Sequence, residues 1–207
     1  MGEKFQTVGY HGTFQENIPV IKQRGFTYKF RDDHWLGQGF YFYENSKLAH
    51  WFITRKRKSQ KAISVLKALL SSESNKVLDL DSPEGINFFY QEIQNILTDA
   101  NGAITFSKDD PHKNRCAMLD VIKEIHNIEI IIHTFERKDR PSYAAVDTNW
   151  FDEHLFPVDV TYKEKQICAT SNTCIKILLD EKPKNEYIIP TKMYFPSRKK
   201  QNIKFKE

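Results

Sequence analysis

An apolar run of β-branched residues constrains the fold most strongly. Residues 128–135 have the sequence IEIIIHTF, in which isoleucine fills four positions. β-branched and aromatic side chains suit a pleated surface, so this run predicts a buried strand. Weaker runs of the same kind predict further strands at residues 7–10, 39–43, 142–146, 166–169 and 187–189.

Helical patterns alternate with these strands. Residues 13–16 match a Ser/Thr-x-x-Glu capping box, which predicts a helix that opens at Thr13 and closes at Gly25. His11 is then expected where a strand gives way to a helix. Ser46 is the expected N-cap of a second helix. Further helical patterns lie at residues 63–70, 84–97 and 118–127, with Ser82 or Asp81 as a cap before Pro83 and a polar connection at 107–115.

Together these patterns predict an α+β fold whose sheet is built largely from non-consecutive strands. A chain of 207 residues suits one domain. Its composition, 40% hydrophobic and 28% charged, is too apolar for disorder. No apolar run approaches the roughly 18 residues of a membrane span, and the first residues lack the apolar stretch of a signal peptide. We therefore expect a cytoplasmic protein with no membrane partner.

Metal binding and disulfides are not indicated by the cysteines and histidines. Cys116, Cys168 and Cys174 are odd in number, and they share no metal-ligand spacing with each other or with histidine. The sequence therefore predicts reduced structural thiols and no metal cofactor.

The formal net charge of +4 is spread unevenly. One basic cluster lies at residues 55–61 and another at residues 198–206. Such runs can contact phosphates, and they can equally be solvated faces or tails. They are compatible with a nucleic-acid partner but do not establish one.

Three short motifs carry the functional signal: YHGT at residues 10–13, GFYF at 39–42 and SKLAHW at 46–51. In this order and spacing, they resemble the first two signature regions of poly(ADP-ribose)-polymerase-like ADP-ribosyltransferases. The resemblance implies an ADP-ribosyltransferase-like fold, with split, mostly antiparallel sheets and flanking helices. It also implies NAD⁺ as the co-substrate, with nicotinamide as the leaving group.

The first motif implies contacts to both ends of NAD⁺. By resemblance, His11 would hydrogen-bond the adenosine-side ribose, since an imidazole offers one donor and one acceptor. Gly12 would present its backbone to the nicotinamide carboxamide, because a missing side chain permits close approach. Thr13 would either contact the same ribose or cap the following helix.

The second region implies an aromatic sandwich around nicotinamide. Tyr41 matches the family's second catalytic position and Trp51 its second stacking aromatic. Phe40 and Phe42 alternate away from Tyr41 on a strand and are expected in the core. The stretch between Tyr41 and Ala49 is one residue shorter than in the eukaryotic polymerases, and Leu48 stands where they carry a hydroxyl.

The third catalytic residue has two candidates. A long resemblance to bacterial relatives over residues 140–176 implies Gln166, whereas KNEYII places Glu186 in a context like that of the polymerases. Glutamine hydrogen-bonds but has no proton to exchange near neutral pH, so a Gln166 enzyme should transfer single ADP-ribose units. We favour Gln166. Glu164 could then approach the acceptor, but we expect it to be a solvated surface residue.

The resemblance implies a mono-ADP-ribosyltransferase acting on a nucleic acid or protein, as a bacterial toxin or anti-phage effector with a possible antitoxin. Residues 60–135 are expected to form a helical elaboration, and residues 196–207 a basic tail. The alternatives are a non-catalytic module that binds NAD⁺ or ADP-ribose, and a basic nucleic-acid-binding protein with a relic site.

Overall fold

The computed structural model describes residues 3–56, 61–106, 108–137 and 162–181. Its strands are β1 (Lys4–Phe14), β2 (Phe40–Tyr43), β3 (Ile63–Glu73), β4 (Val77–Asp79), β5 (Ile130–Arg137), β6 (Tyr162–Ala169) and β7 (Ile175–Glu181). Its helices are α1 (Ile18–Arg24), α2 (Ser46–Lys56), α3 (Pro83–Asp99) and α4 (Pro111–His126). The predicted strands at 142–146 and 187–189 and the basic tail at 196–207 lie outside the described residues.

The described strands form one seven-stranded sheet in the order β4-β5-β6-β2-β1-β3-β7. β4 and β5 run parallel, whereas the other neighbours are antiparallel. Strands distant in sequence meet at β6–β2, β1–β3 and β3–β7. The α+β class is therefore confirmed, but the described strands form one mixed sheet and not the split sheets that the resemblance implies.

Apolar layers cover both faces of the sheet. One layer joins α1 to Phe42 and Ile130, and the other joins α4 to Leu36 and Ile131. Ile130 and Ile131 are both 0% exposed, because successive side chains of β5 enter opposite layers. Each such burial stabilises the fold by about 1.5–3 kcal/mol. The prediction of a buried strand in this region is confirmed.

Residues 63–70 form a strand, not the predicted helix. They belong to β3, which pairs with β1 from Ile63 opposite Phe14 to Glu73 opposite Lys4. Their apolar residues are nearly continuous because both faces of β3 are covered, and short continuous runs do not separate strand from helix. Residues 60–135 are therefore not a purely helical elaboration, since β3, β4 and β5 all join the sheet.

The capping box at residues 13–16 was a wrong prediction. β1 continues to Phe14, and Thr13 pairs with Ser64 inside the ladder. A 3-10 turn, Gln15–Asn17, separates β1 from α1. His11 consequently lies within β1 and not at a strand-to-helix turn. The end of α1 was predicted correctly, because Gly25 follows its last residue with φ of 81°.

Helix starts depend on local caps. The cap of α3 was predicted correctly, and the cap of α2 was not. Ser82 accepts from the backbone N–H of Gly85 at 3.0 Å, as expected for the cap of α3. At α2 the cap is Asn45, whose Oδ1 accepts from Leu48 N at 2.9 Å, and Ser46 is the first helical residue.

The fourth helix begins earlier than its pattern predicts. It starts at Pro111, and the side chain of Asp110 accepts from Lys113 N at 3.1 Å. Part of the predicted polar connection at 107–115 is therefore helix, because Asp-Pro is itself a start signal.

The cysteines are free and buried, as expected of structural thiols. Burial raises the pKa of the Cys168 thiol to about 11, which keeps it protonated and unreactive.

Candidate active site

A cavity of about 330 Å³ lies between β2, β6 and the segment of residues 26–35. Its wall includes His11 from β1, Tyr41 from β2 and Gln166 from β6. These residues are far apart in sequence, but β6, β2 and β1 are successive neighbours in the sheet. The fold therefore brings three of the sequence-predicted site residues to one cavity.

His11 links the two strands that carry the first two motifs. Tyr10 and Tyr43 form a backbone pair between β1 and β2. His11 follows Tyr10 on β1, and its imidazole also links β1 to β2 through a hydrogen bond. The Nδ1 atom lies 2.8 Å from the carbonyl oxygen of Tyr41. The ring also packs edge-on against Phe26, with centroids 5.0 Å apart. These contacts hold the imidazole in one orientation at the cavity.

The partner of His11 determines its tautomer. A carbonyl oxygen can only accept, so Nδ1 carries the proton and Nε2 remains an acceptor. Burial lowers the pKa of His11 more than the bond to Tyr41 raises it. The neutral imidazole can thus accept a hydrogen bond from a ligand hydroxyl at Nε2.

This neutral histidine gives an expected dependence of stability on pH. Because the pKa of His11 in the fold lies below the free value of 6.5, the unfolded chain takes up this proton first as pH falls below 6.5. Wild type should therefore lose more free energy of unfolding between about pH 7.5 and about pH 5.5 than His11→Asn, which cannot titrate. Urea unfolding at the two pH values measures this difference. Equal losses would mean that His11 is not held neutral.

Tyr41 is anchored through its hydroxyl. The Oη atom accepts from the N–H of Leu36 and donates to the carbonyl of Gly37, both at 2.7 Å. Burial raises the pKa of Tyr41, so the phenol stays protonated and does not serve as an acid or base near neutral pH. Its contribution to the cavity is therefore the aromatic ring.

Two charged residues of α4 hold the turn that positions Tyr41. Asp120 Oδ1 accepts from Gln38 N at 2.6 Å, and Lys123 Nζ donates to the carbonyl of Gln38 at 2.6 Å. Lys123 and Asp120 also pair with each other at 3.1 Å. Gly37 has φ of 73°, and a Cβ there would collide with Asp120. No sequence pattern linked α4 to this turn, because the contact spans some eighty residues.

Gln166 and Glu164 lie on one face of β6, and both line the cavity. Their exposures are 7% and 2%. Gln166 Nε2 donates to Glu164 Oε1 at 2.6 Å. The expectation of a solvated surface glutamate at position 164 is wrong, because strand alternation turns Glu164 inward together with Gln166. The rival third residue, Glu186, lies outside the described residues.

The described cavity wall does not include Gly12 or Thr13. A Cβ on Gly12 would collide with the backbone oxygen of Ala49 and lie 3.0 Å from Ile53 Cβ. Glycine is therefore required here for the close approach of α2 to β1. Thr13 is 5% exposed, and its hydroxyl accepts from Asn17 Nδ2 at 3.3 Å.

Gly12→Ala is expected to lower the free energy of unfolding by about 2 kcal/mol, because the collision involves backbone that cannot rotate away. Gln6→Ala is a suitable control, since Gln6 is exposed on the same strand. It should change stability by less than about 0.5 kcal/mol. Urea unfolding measures both variants, and equal stabilities would mean that α2 does not need the glycine.

The aromatic residue that α2 gives to the cavity is Phe52 and not Trp51. Trp51 is 5% exposed and lies outside the described wall. Phe52 packs against Tyr43, which also lines the cavity, with ring centroids 5.6 Å apart. The one-residue difference from the polymerases between Tyr41 and Ala49 could have indicated Phe52. Trp51 matches the family's stacking position only if a gap is placed in that stretch, and without the gap the matching residue is Phe52.

Sequence reasoning missed the segment of residues 26–35, which forms another wall of the cavity. The imidazole of His34 lies edge-on to Tyr41, with centroids 5.4 Å apart, and burial lowers its pKa. At the rim, Arg31 pairs with Asp33 at 2.7 Å. The segment is irregular in structure, so it carries no periodic pattern that could have marked it.

Comparisons of the chain with protein-family models, curated proteins and solved structures gave no match. Within the described ranges, no helix is long and apolar enough to cross a membrane. The same residues contain no group of three or more His, Cys, Asp or Glu side chains that could hold a metal ion.

Proposed function

We propose that this protein is a mono-ADP-ribosyltransferase that moves ADP-ribose from NAD⁺ to a nucleic-acid or protein acceptor and releases nicotinamide. One observation carries the proposal. His11, Tyr41 and Gln166, which match the three signature positions, lie on three neighbouring strands and line the same cavity. Three residues that served only in the hydrophobic core would not be expected to line one cavity together.

The proposed reaction exchanges one bond for another. The bond between the ribose C1′ and the nicotinamide nitrogen breaks, and its electron pair leaves with the ring, which becomes neutral. The positive charge is then shared by C1′ and the ribose ring oxygen, as in glycoside hydrolysis. A lone pair of the acceptor forms the new bond to C1′, and the acceptor loses a proton. The protein must hold the ribose and stabilise its charge.

The cavity residues suit these tasks. Nε2 of neutral His11 would accept from a hydroxyl of the adenosine-side ribose. The ring of Tyr41, with Tyr43 and Phe52 nearby, would orient nicotinamide through aromatic contacts. Gln166 would bind the hydroxyl of the nicotinamide-side ribose. Because an amide has no proton to exchange, transfer of single units follows more naturally than chain elongation.

The biological role that we propose is that of a bacterial toxin or anti-phage effector, which would need an antitoxin or another restraint in its host. It rests on the resemblance of the motifs to small bacterial transferases. The formal charge of +4 is compatible with a nucleic-acid acceptor.

Nicotinamide release tests the proposal directly. The protein is incubated with NAD⁺ labelled in its adenylate half and with a whole-cell extract, and the labelled product is treated with protease or nuclease. Release of nicotinamide with nuclease-sensitive label identifies a nucleic-acid acceptor, and protease-sensitive label identifies a protein. Binding of NAD⁺ without release would instead support a non-catalytic module. Steeply salt-dependent nucleic-acid binding without turnover would support a relic site.

A further inference from the structure

Glu164 is a buried carboxylate at the cavity to which the proposed chemistry gives no task. Its exposure is 2%, yet it belongs to the cavity wall. Removing a carboxylate from water costs several kcal/mol unless the charge is compensated by hydrogen bonds. Glutamine or leucine at this strand position would avoid that cost, and among the partners of the carboxylate is Gln166, which also lines the cavity.

The first effect of Glu164 is on the orientation of Gln166. The two ends of a glutamine amide differ chemically, and an isolated side chain can present either end to a ligand. A carboxylate can only accept, so it captures Nε2 of Gln166 at 2.6 Å. The amide oxygen Oε1 is then left for a ligand hydroxyl. Held in this way, Gln166 offers a ribose hydroxyl the same acceptor that a glutamate would offer.

The second effect is electrostatic. The charged residues on the described wall are Arg31, Asp33 and Glu164. Arg31 and Asp33 pair with each other at 2.7 Å, and the lowered pKa of His11 keeps that side chain neutral. Glu164 is therefore the acidic residue of this wall that lies beside Gln166, to which it is hydrogen-bonded.

We propose that Glu164 is the anionic group of this site. It orients Gln166, and its negative charge stabilises the ribose cation across Gln166. This inference rests on the proposed function. As the bond to nicotinamide breaks, positive charge moves from the nicotinamide ring to C1′. An anion next to the residue that binds the ribose therefore stabilises the transition state, in which positive charge lies at C1′, more than it stabilises bound NAD⁺. Glu164 acts through Gln166, so it is a positioning residue, and its effect belongs to kcat more than to KM.

The test compares kcat and KM for nicotinamide release in matched variants. Glu164→Gln keeps an acceptor for Gln166 Nε2 and removes the charge, so kcat should fall by about tenfold or more while KM changes less than about threefold. The double variant Glu164→Gln with Gln166→Glu exchanges the two side chains and returns one carboxylate to the pair. It should regain most of the lost rate. Glu136→Gln is the control, because Glu136 is exposed on the neighbouring strand.

Each outcome decides between the two claims. Wild-type kcat in a folded Glu164→Gln variant, or a loss confined to KM, overturns the role of Glu164 and leaves the proposed function standing. If wild type itself releases no nicotinamide, the proposed function and this inference both fail. If Glu164→Gln does not fold, the exchanged double variant decides: a kcat near that of wild type supports the inference, and a folded but inactive protein overturns it.

Discussion

Gln166→Ala is expected to lower kcat for nicotinamide release by at least about a hundredfold, the usual scale for deleting one preorganised contact to a transition state. Gln166 lines the cavity on β6, opposite Tyr43 of β2, and its amide is fixed by Glu164. Alanine removes the proposed acceptor for the ribose hydroxyl without changing the aromatic walls. Steady-state kinetics with NAD⁺ measures the loss, and thermal unfolding checks that the variant is folded.

Glu186→Gln is the matched comparison, because Glu186 is the rival for the third position. If Gln166 carries the role, Glu186→Gln keeps most of the wild-type rate. A folded but inactive Glu186→Gln variant, together with an active Gln166→Ala variant, would reverse the assignment. It would also return a general base to the site, and with it the chemistry needed to extend a chain.

Sequence patterns predicted the elements whose signals are local. β2 consists of four aromatic residues, and the β-branched run of β5 follows Asn127, the left-handed residue that ends α4. The start of α3 follows from Ser82 and Pro83, which act within one turn of the chain. Such elements need no knowledge of their neighbours, so their type could be predicted from sequence alone.

The errors came from positions where tertiary pairing overrides a local pattern. Thr13 and Glu16 have the spacing of a capping box, but the ladder with β3 continues through Thr13. The apolar residues of β3 fit a helix as well as a strand until both covered faces are known. For Thr13 the deciding contact, its pairing with Ser64, lies some fifty residues away in sequence.

The residues of the candidate site also fall into two groups, those with local sequence signals and those placed by contacts with distant elements. His11 and Tyr41 could be proposed from short motifs, and Gln166 from the longer resemblance over residues 140–176. The residues that position them could not: Asp120 and Lys123 reach the turn before β2 from α4, and Glu164 is recognised as internal only once β6 is paired. The sequence signals of the proposed site residues are local, whereas the contacts that position those residues come from elements distant in sequence.

His11→Ala is expected to lower kcat/KM for NAD⁺ by at least about a hundredfold, because it removes two functions of one ring. Nδ1 holds β1 to β2 through the carbonyl of Tyr41, and in the proposed function Nε2 accepts a hydrogen bond from a ribose hydroxyl. Alanine also leaves space beside Phe26 and Phe42, against which the imidazole packs. Its stability should therefore fall together with its activity, so this variant alone does not separate the two functions.

His11→Asn separates them. The side-chain amide of asparagine places a donor near the position of Nδ1, so the link to Tyr41 can persist, but no atom replaces Nε2. Leaving a ribose hydroxyl unpaired costs about 1–3 kcal/mol, which corresponds to a loss of roughly ten- to hundredfold in kcat/KM. The free energy of unfolding at neutral pH should stay closer to wild type than that of His11→Ala. An asparagine variant as stable and as active as wild type would mean that His11 only joins two strands and does not bind NAD⁺.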